Sequence, residues 1–292
     1  MSARRSRVNG DFEALVRERY ASLSPAHRKI ADYLLADSRR AALEPIATVA
    51  RDLHTSESTV VRFAQSLGYP GYPELREKLR ETFLTTATSL DRLAAERGSV
   101  RGSILEQVLA EDADAVLGTL AQIPVETFDV VVREIVGARR TYVAGFRGSA
   151  GVALVLGMGL RIFLPETRVI AVNVGDTAEE LLSLHKGDVL IVISVLRYAE
   201  QTLEILRYAH DQKARTVAIT DSPVSPVARL ADHVLLVRPT TPRSMASYAA
   251  IASLASALTE AVAARKGASA DRSLRAAESL WGRFRVHARD AR

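Results

Sequence analysis

The sequence predicts two domains: an all-α helix-turn-helix bundle, followed by an α/β domain with a five-stranded parallel sheet flanked by helices. Three observations predict it. From Phe12 to Leu84 the apolar residues recur at helical spacing and no strand-like run interrupts them. Residues 85–103, "TTATSLDRLAAERGSVRGS", are polar and partly Gly/Ser-containing, as a connecting segment would be. After about residue 104, helical stretches alternate with five short runs rich in Val and Ile: "RTYVAGF", "RVIAVNV", "DVLIVIS", "RTVAIT" and "HVLLVRP". Nearly continuous apolar strands separated by helices belong to a parallel sheet covered on both faces. The expected divisions are 1–84 for the helical domain, 85–123 for a linker and connecting helix, 124–267 for the α/β domain and 268–292 for a basic C-terminal helix.

Along the first domain, "SPAHRKIADYLLADS" offers Ser24 as N-cap and Pro25 at the first helical position, with Ile30, Tyr33 and Leu34 on one face. Ile46, Val49, Ala50 and Leu53 then stand at i, i+3, i+4 and i+7, and Val60, Phe63, Ala64 and Leu67 repeat that spacing. Each short helix therefore has one stripe to bury. Ser56, in the tight turn between them, is placed to cap the second helix. Two short helices with facing stripes and a tight turn make a helix-turn-helix. The second helix projects Ser58, Thr59, Arg62 and Gln65 away from the core. With Ser56, and with Thr48 and Arg51 of the first helix, these are side chains of the kinds that reach phosphates and base edges in a major groove. An ordinary helical hairpin would carry the same stripes, but its outer face would favour Glu/Lys pairs.

Charge points the same way. The net charge of +5 is uneven. Residues 1–80 hold 14 Lys/Arg against 10 Asp/Glu, residues 268–292 hold 6 against 3, and the span between holds 19 against 21. A basic module on a mildly acidic body fits a polyanion partner. The absence of cysteine excludes disulfides and thiolate metal sites, and no metal or cofactor is expected. The basic N-terminus lacks the apolar stretch of a secretory signal, and no apolar run reaches bilayer length. A cytoplasmic protein without membrane partners, nucleoid-associated when bound to DNA, is the expectation.

The stretch "LSPAHRKIADYLL…IATVARDLHTSESTVVRFAQSLGYPGYPELREKL" resembles the DNA-binding domain of the RpiR family of bacterial transcriptional regulators. That family reads S-x-x-T-V-V-R-F, then L-G-[FY]-x-G-[FY]-x-E-[FL]; here these are Ser56, Thr59, Val60, Val61, Arg62 and Phe63, then Leu67, Gly68, Tyr69, Gly71, Tyr72, Glu74 and Leu75. His54 departs from the glycine the family usually has in the turn; if it takes positive φ, histidine is among the better-tolerated side chains there. The resemblance implies a sugar isomerase (SIS) domain after the linker, and "YVAGFRGSAGVA", "GDVLIVISVLRYAEQTLEIL" and "ARTVAITDSPVSPVARLADHVLLV" are similar to its strand–loop–helix segments.

In such a sheet, ligands bind beyond the carboxyl ends of the strands at a topological switch point, where helix N-termini attract anions. The loops after strands one and three place Gly145, Arg147, Gly148, Ser149, Ser194, Arg197, Tyr198 and Glu200 there as the expected ligand-binding residues. The family's phosphosugar loops read G-x-G-S-S and S-x-S-G-x-T. Here Leu196 and Ala199 replace two hydroxyl donors, Arg197 replaces a glycine, and a second arginine, Arg147, has appeared. Three ligand readings stay open: a different acidic metabolite, a phosphosugar, or none, with the arginines pairing to Glu179, Glu180 or Glu200.

The function expected is a DNA-binding regulator that pairs as a homodimer or tetramer through its SIS domain, binds double-stranded operator DNA and senses a small anionic metabolite. The long helix "SMASYAAIASLASALTEAVAA" has the small residues that permit close packing between subunits. A sugar-phosphate isomerase is the alternative, with Glu179, Glu180, His185 or Glu200 as base. A constitutive DNA-binding dimer is another. No catalytic residues are assigned.

Overall fold

The computed structural model describes residues 10–36, 42, 44–86, 90, 93, 103–170, 177–238 and 245–287. The chain divides into two compact units, residues 1–101 with 242–245 and residues 102–241 with 246–292. Most of the expected linker, 85–103, and the chain end from 288 lie outside the described residues.

The first unit is helical: α1 (Gly10–Arg19), a 3-10 turn (Tyr20–Ser22), α2 (Pro25–Ala36), α3 (Ile46–Asp52), α4 (Glu57–Ser66) and α5 (Tyr72–Thr86). Pro25 opens α2, where a missing N–H costs nothing, and the Ser24 hydroxyl accepts from the His27 N–H at 3.3 Å. The stripes of α3 and α4 close on each other and on α2: Ile30, Ala31, Leu34, Val49, Ala50, Val60, Phe63, Ala64 and Leu67 share one core with Tyr72, Leu75 and Leu79. Tyr33 is half-buried beside this core. Its hydroxyl lies 2.7 Å from Glu44 Oε2 and 2.9 Å from Asp52 Oδ2, a tie between α2, the α2–α3 segment and α3.

The turn between α3 and α4 follows from its hydrogen bonds. His54 has φ of 50°. Its N–H donates to Arg51 O, and the Thr55 N–H reaches back to Ala50 O at 2.9 Å. That pair of bonds is a Schellman ending, whose central residue must be left-handed. Gly68, at φ of 94°, ends α4 in the same way, with Tyr69 N–H donating to Ala64 O.

The second unit carries α6 (Ile104–Gln122), α7 (Val125–Gly137), β1 (Thr141–Gly145), α8 (Ser149–Phe163), β2 (Thr167–Ile170), α9 (Thr177–Leu181), β3 (Val189–Ile193), α10 (Glu200–Asp211), β4 (Arg215–Thr220), β5 (His233–Leu236), α11 (Ala249–Lys266) and α12 (Ala268–Phe284). The five strands form one sheet in the order β2-β1-β3-β4-β5, every neighbour parallel. β2 ends at Ile170; the rest of the run expected as that strand lies outside the described residues.

Alternation splits the strand side chains between two cores. Val143, Val189, Ile191, Ile193, Val217 and Ile219 face α7, α8 and α11, whereas Tyr142, Ala144, Leu190, Val192 and Ala218 face α9 and α10. This explains the unbroken apolar reading of the strands. Glycines let helices approach: a Cβ on Gly157 would strike Val169, and one on Gly159 would come within 2.8 Å of Thr259 in α11. The small residues of α11 thus serve packing inside the chain. Its Ala250, Ile251, Leu254, Ala255, Leu258 and Val262 are buried in its own unit, while Ser253, Ser256 and Ala257 on its other side are exposed. Among the described residues, no single helix is long and apolar enough to cross a membrane; α6 and α7 reach that character only together, and they are bent by 86°.

Candidate functional site

Two places bring the sequence-predicted residues together. The first is the outer face of α3 and α4. Ser56 sits at the N-cap, its Oγ accepting from the Thr59 N–H at 3.3 Å and lying 2.8 Å from both Ser58 Oγ and Thr59 Oγ1. Three hydroxyls are therefore gathered at the positive end of the α4 dipole, a setting that attracts phosphate oxygens. Ser56 spends its hydroxyl on the cap, so Ser58 and Thr59 are the outward partners of that cluster.

Arg62, one turn on, is exposed and keeps only an Nε bond to Ser58 O at 3.3 Å within its own helix. Gln65 is exposed, but its amide donates to Pro70 O at 3.3 Å and so braces the turn after α4. Thr48 is half-buried, and Arg51 is exposed, its Nε 3.4 Å from Asp52 Oδ1. His27 was not foreseen. Its ring stands edge-on to Phe63 at 5.8 Å, and burial, followed by the charge of Arg62, lowers its pKa. Only the folded packing of α2 on α4 reveals that neighbourhood, because no spacing in the sequence links 27 to 62.

The second place is the carboxyl edge of the sheet at its switch point. Gly145, Ile193 and Ile219 are level in register, so the loops after β1, β3 and β4 leave side by side. On the β1 side, a Cβ on Gly145 would lie 2.7 Å from Ser149 O, which only glycine avoids. Arg147 holds φ of 55° and its side chain is exposed. Ser149 is buried, and Tyr248, the residue before α11, has its pKa raised by burial, with Ser149 and Arg147 acting the other way. A Cβ on Gly148 would fall on that same phenol.

On the β3 side, Ser194 is buried, with its N–H on Ile219 O at 3.1 Å. The Leu196 N–H donates to Asp221 Oδ2 at 3.1 Å, and the Tyr198 hydroxyl donates to Asp221 Oδ1 at 2.9 Å. Burial, then Asp221, raises the Tyr198 pKa. Tyr198 therefore belongs to the scaffold of its loop and spends its hydroxyl on Asp221. Arg197 between them is exposed.

Of the acidic residues named for this edge, Glu179 is exposed, and the other two are paired to arginines outside the two loops. Glu200, exposed in the first turn of α10, lies 3.7 Å from Arg207 of the same helix, and Glu180 pairs with Arg168 at 3.2 Å. His185 sits at the opposite end of the sheet, where its N–H donates to Asp188 Oδ2 just before β3 begins. Asp221 and Tyr248 escaped the sequence reading. Asp221, following the last residue of β4, carried a usable signal: a polar side chain at the carboxyl end of a parallel strand. Tyr248 carried none, being about 100 residues from the loop it touches. Among the described residues, no cluster of three or more His, Asp or Glu could hold a metal ion.

Residues 10–86 match the helix-turn-helix domain of the rpiR family and residues 134–263 match the SIS domain. The chain is 31% identical to an RpiR transcription factor of Sphaerobacter thermophilus, whose sugar isomerase domain it covers over 98% of its length, with 60% of this chain aligned and a TM-score of 0.57. The chain belongs to the RpiR family of transcriptional regulators.

Other members extend the likeness over both domains. An uncharacterised helix-turn-helix regulator of Caldanaerobacter subterraneus is 26% identical across 78% of this chain and 80% of its own. The fold of Vibrio vulnificus NanR, solved with ManNAc-6P, covers 94% of this chain and 99% of NanR at 18% identity and a TM-score of 0.58. The RpiR-family chain also spans 34% of the length of the bifunctional protein glk of Burkholderia orbicola, at 28% identity.

Proposed function

We propose that this RpiR-family regulator binds double-stranded operator DNA through α4 as a homodimer or larger assembly, ties DNA affinity to a small anionic metabolite, and catalyses no reaction. The observation that carries the reading is the level exit of the β1 and β3 loops, which sets Arg147, Ser149, Ser194 and Arg197 along one edge of the sheet. Two guanidinium groups near each other favour an anion, which each can grip bidentately. The ManNAc-6P complex of NanR supports a sugar-phosphate-like effector. The loss of two loop hydroxyls at Leu196 and Ala199 favours another acidic metabolite.

For the enzyme alternative, Glu180 and Glu200 are paired to arginines and His185 lies at the far end of β3, which leaves the exposed Glu179 of α9 as the remaining candidate base. For the assembly, helix-turn-helix domains work in pairs on two half-sites. Exposed apolar residues open to a second copy include Leu105, Leu109 and Leu117 of α6 and Val155 and Met158 of α8.

Operator fragments selected from genomic DNA by the purified protein, titrated in the presence of a panel of acidic metabolites, test the reading. The metabolite that shifts operator binding should also raise the melting temperature, since a ligand at 100 times its Kd adds about 2.7 kcal/mol. Arg147→Ala with Arg197→Ala should abolish both effects and leave unliganded DNA binding intact. A monomer by light scattering, or operator binding deaf to every acid tested, would overturn it.

A further inference from the structure

The β1–α8 turn is not open in the way an anion cradle has to be. The phenol of Tyr248 lies over the start of α8, against Gly148, the neighbour in sequence of the buried Ser149. The turn that would offer a ligand its N–H groups and the Ser149 hydroxyl is the one the phenol covers at Gly148. The ring is also packed against the core shared by α7, α8 and α11, so it is seated and not merely resting on the surface. The fit requires glycine at 148, because any Cβ there would occupy the place of the phenol oxygen. Gly148 and Tyr248 are therefore a matched pair: one clears the space that the other fills. Arg147 stands beside the phenol close enough for its charge to act on it.

We infer that Tyr248 is the specificity-determining gate of the effector site: its hydroxyl takes the place of an anion oxygen at the α8 N-terminus, so a phosphoryl group enters only when the phenol leaves. The inference rests on the effector reading above and adds the residue that selects. A tetrahedral phosphoryl group needs several donors converging from the turn, whereas a phenol seated on Gly148 roofs it. Because Tyr248 is the residue preceding α11, displacing it releases the amino end of the helix that holds the core of its domain together. Ligand entry is thereby converted into motion of a structural element, as a two-state device requires.

The test uses the full-length protein and inorganic phosphate as the probe, with binding followed by calorimetry. Tyr248→Ala should bind phosphate at least tenfold tighter than the parent. Tyr248→Phe keeps the ring packed but removes the oxygen that lies against Gly148, so it should fall between them and guards against misfolding of the alanine variant. Adding Arg147→Ala to Tyr248→Ala should cancel the gain. Phosphate affinity equal to or below the parent's in both Tyr248 variants overturns the gate. The two proposals fail separately. If an acidic metabolite alters operator binding equally in parent and Tyr248→Ala, the gate is lost and the effector reading stands. If no metabolite alters the parent's operator binding while Tyr248→Ala gains phosphate, the gate stands and the effector reading is lost.

Discussion

Replacing Arg62 by alanine separates the outer face of α4 from its core. Arg62 lies off the Val60–Phe63–Ala64–Leu67 stripe, is exposed, and makes one intrahelical bond, Nε to Ser58 O at 3.3 Å, which water replaces readily. Exposed substitutions of this kind change stability by about 0.5 kcal/mol or less. A lost Arg–base contact costs about 1–3 kcal/mol, which is roughly 5- to 150-fold in Kd per half-site. Fluorescence anisotropy with a selected operator, at 0.15 M salt and along a salt series, reads the effect. Loss of a base contact weakens binding and relaxes one operator position. Loss of a phosphate contact instead weakens all sequences alike and flattens the salt slope by about 0.9. Two results would refute the reasoning: an unchanged Kd, or a fall in Tm of about 4–8 °C, the signature of a ~1 kcal/mol destabilisation in a domain of this size.

His54→Gly should stabilise the DNA-binding unit by up to ~1 kcal/mol, since it removes a side chain from the left-handed position of the α3 ending; thermal melts decide, and lower stability contradicts the strain argument. His27 has its pKa lowered below 6.5 by burial and by Arg62, so the unfolded chain binds the proton more readily. Stability therefore rises with pH through that window and is lost as pH falls below about 6.5. His27→Gln should flatten this slope in melts taken from pH 7.5 to 5. Asp221→Asn should cost about 1–3 kcal/mol in urea unfolding of the α/β unit, because an amide cannot accept from both the Leu196 N–H and the Tyr198 hydroxyl through its two ends; a neutral outcome would place the loop's anchor elsewhere.

The parts of the molecule that local pattern governs were legible in the sequence. The stripes of α3 and α4, the Ser56 cap and the five Val/Ile strands each follow from residues within a few positions of one another. His54 was readable as a left-handed position only because a glycine was expected there. The site was legible in its backbone, as two loops at the end of a parallel sheet, but not in its occupants. Tyr198 looked like a ligand contact by position, yet Asp221 after the neighbouring strand captures it. Tyr248 reaches the first loop from the start of α11, a proximity created by tertiary packing alone. The same packing gives α11 a use the sequence reading had not given it: its close approach to α8 at Gly159 makes part of its small-residue surface a seam within the chain.

The attachment of α6 has a consequence for signal transmission. This helix is the first described element after the linker region, and it packs against α11. It is also pinned to the sheet, where the Arg238 N–H donates to Thr119 Oγ1 at 2.9 Å and the Arg238 side chain fills the notch left by Gly118. Along the covalent chain, α6 is thus the element by which the second unit begins, and the Arg238 side chain lies against it at Gly118. Gly118→Ala should dislodge Arg238 without touching either loop of the effector edge or the face of α4. The expected variant binds operator and effector with parental affinities, yet the operator affinity no longer changes when effector is added: an uncoupled regulator, deaf but not lame.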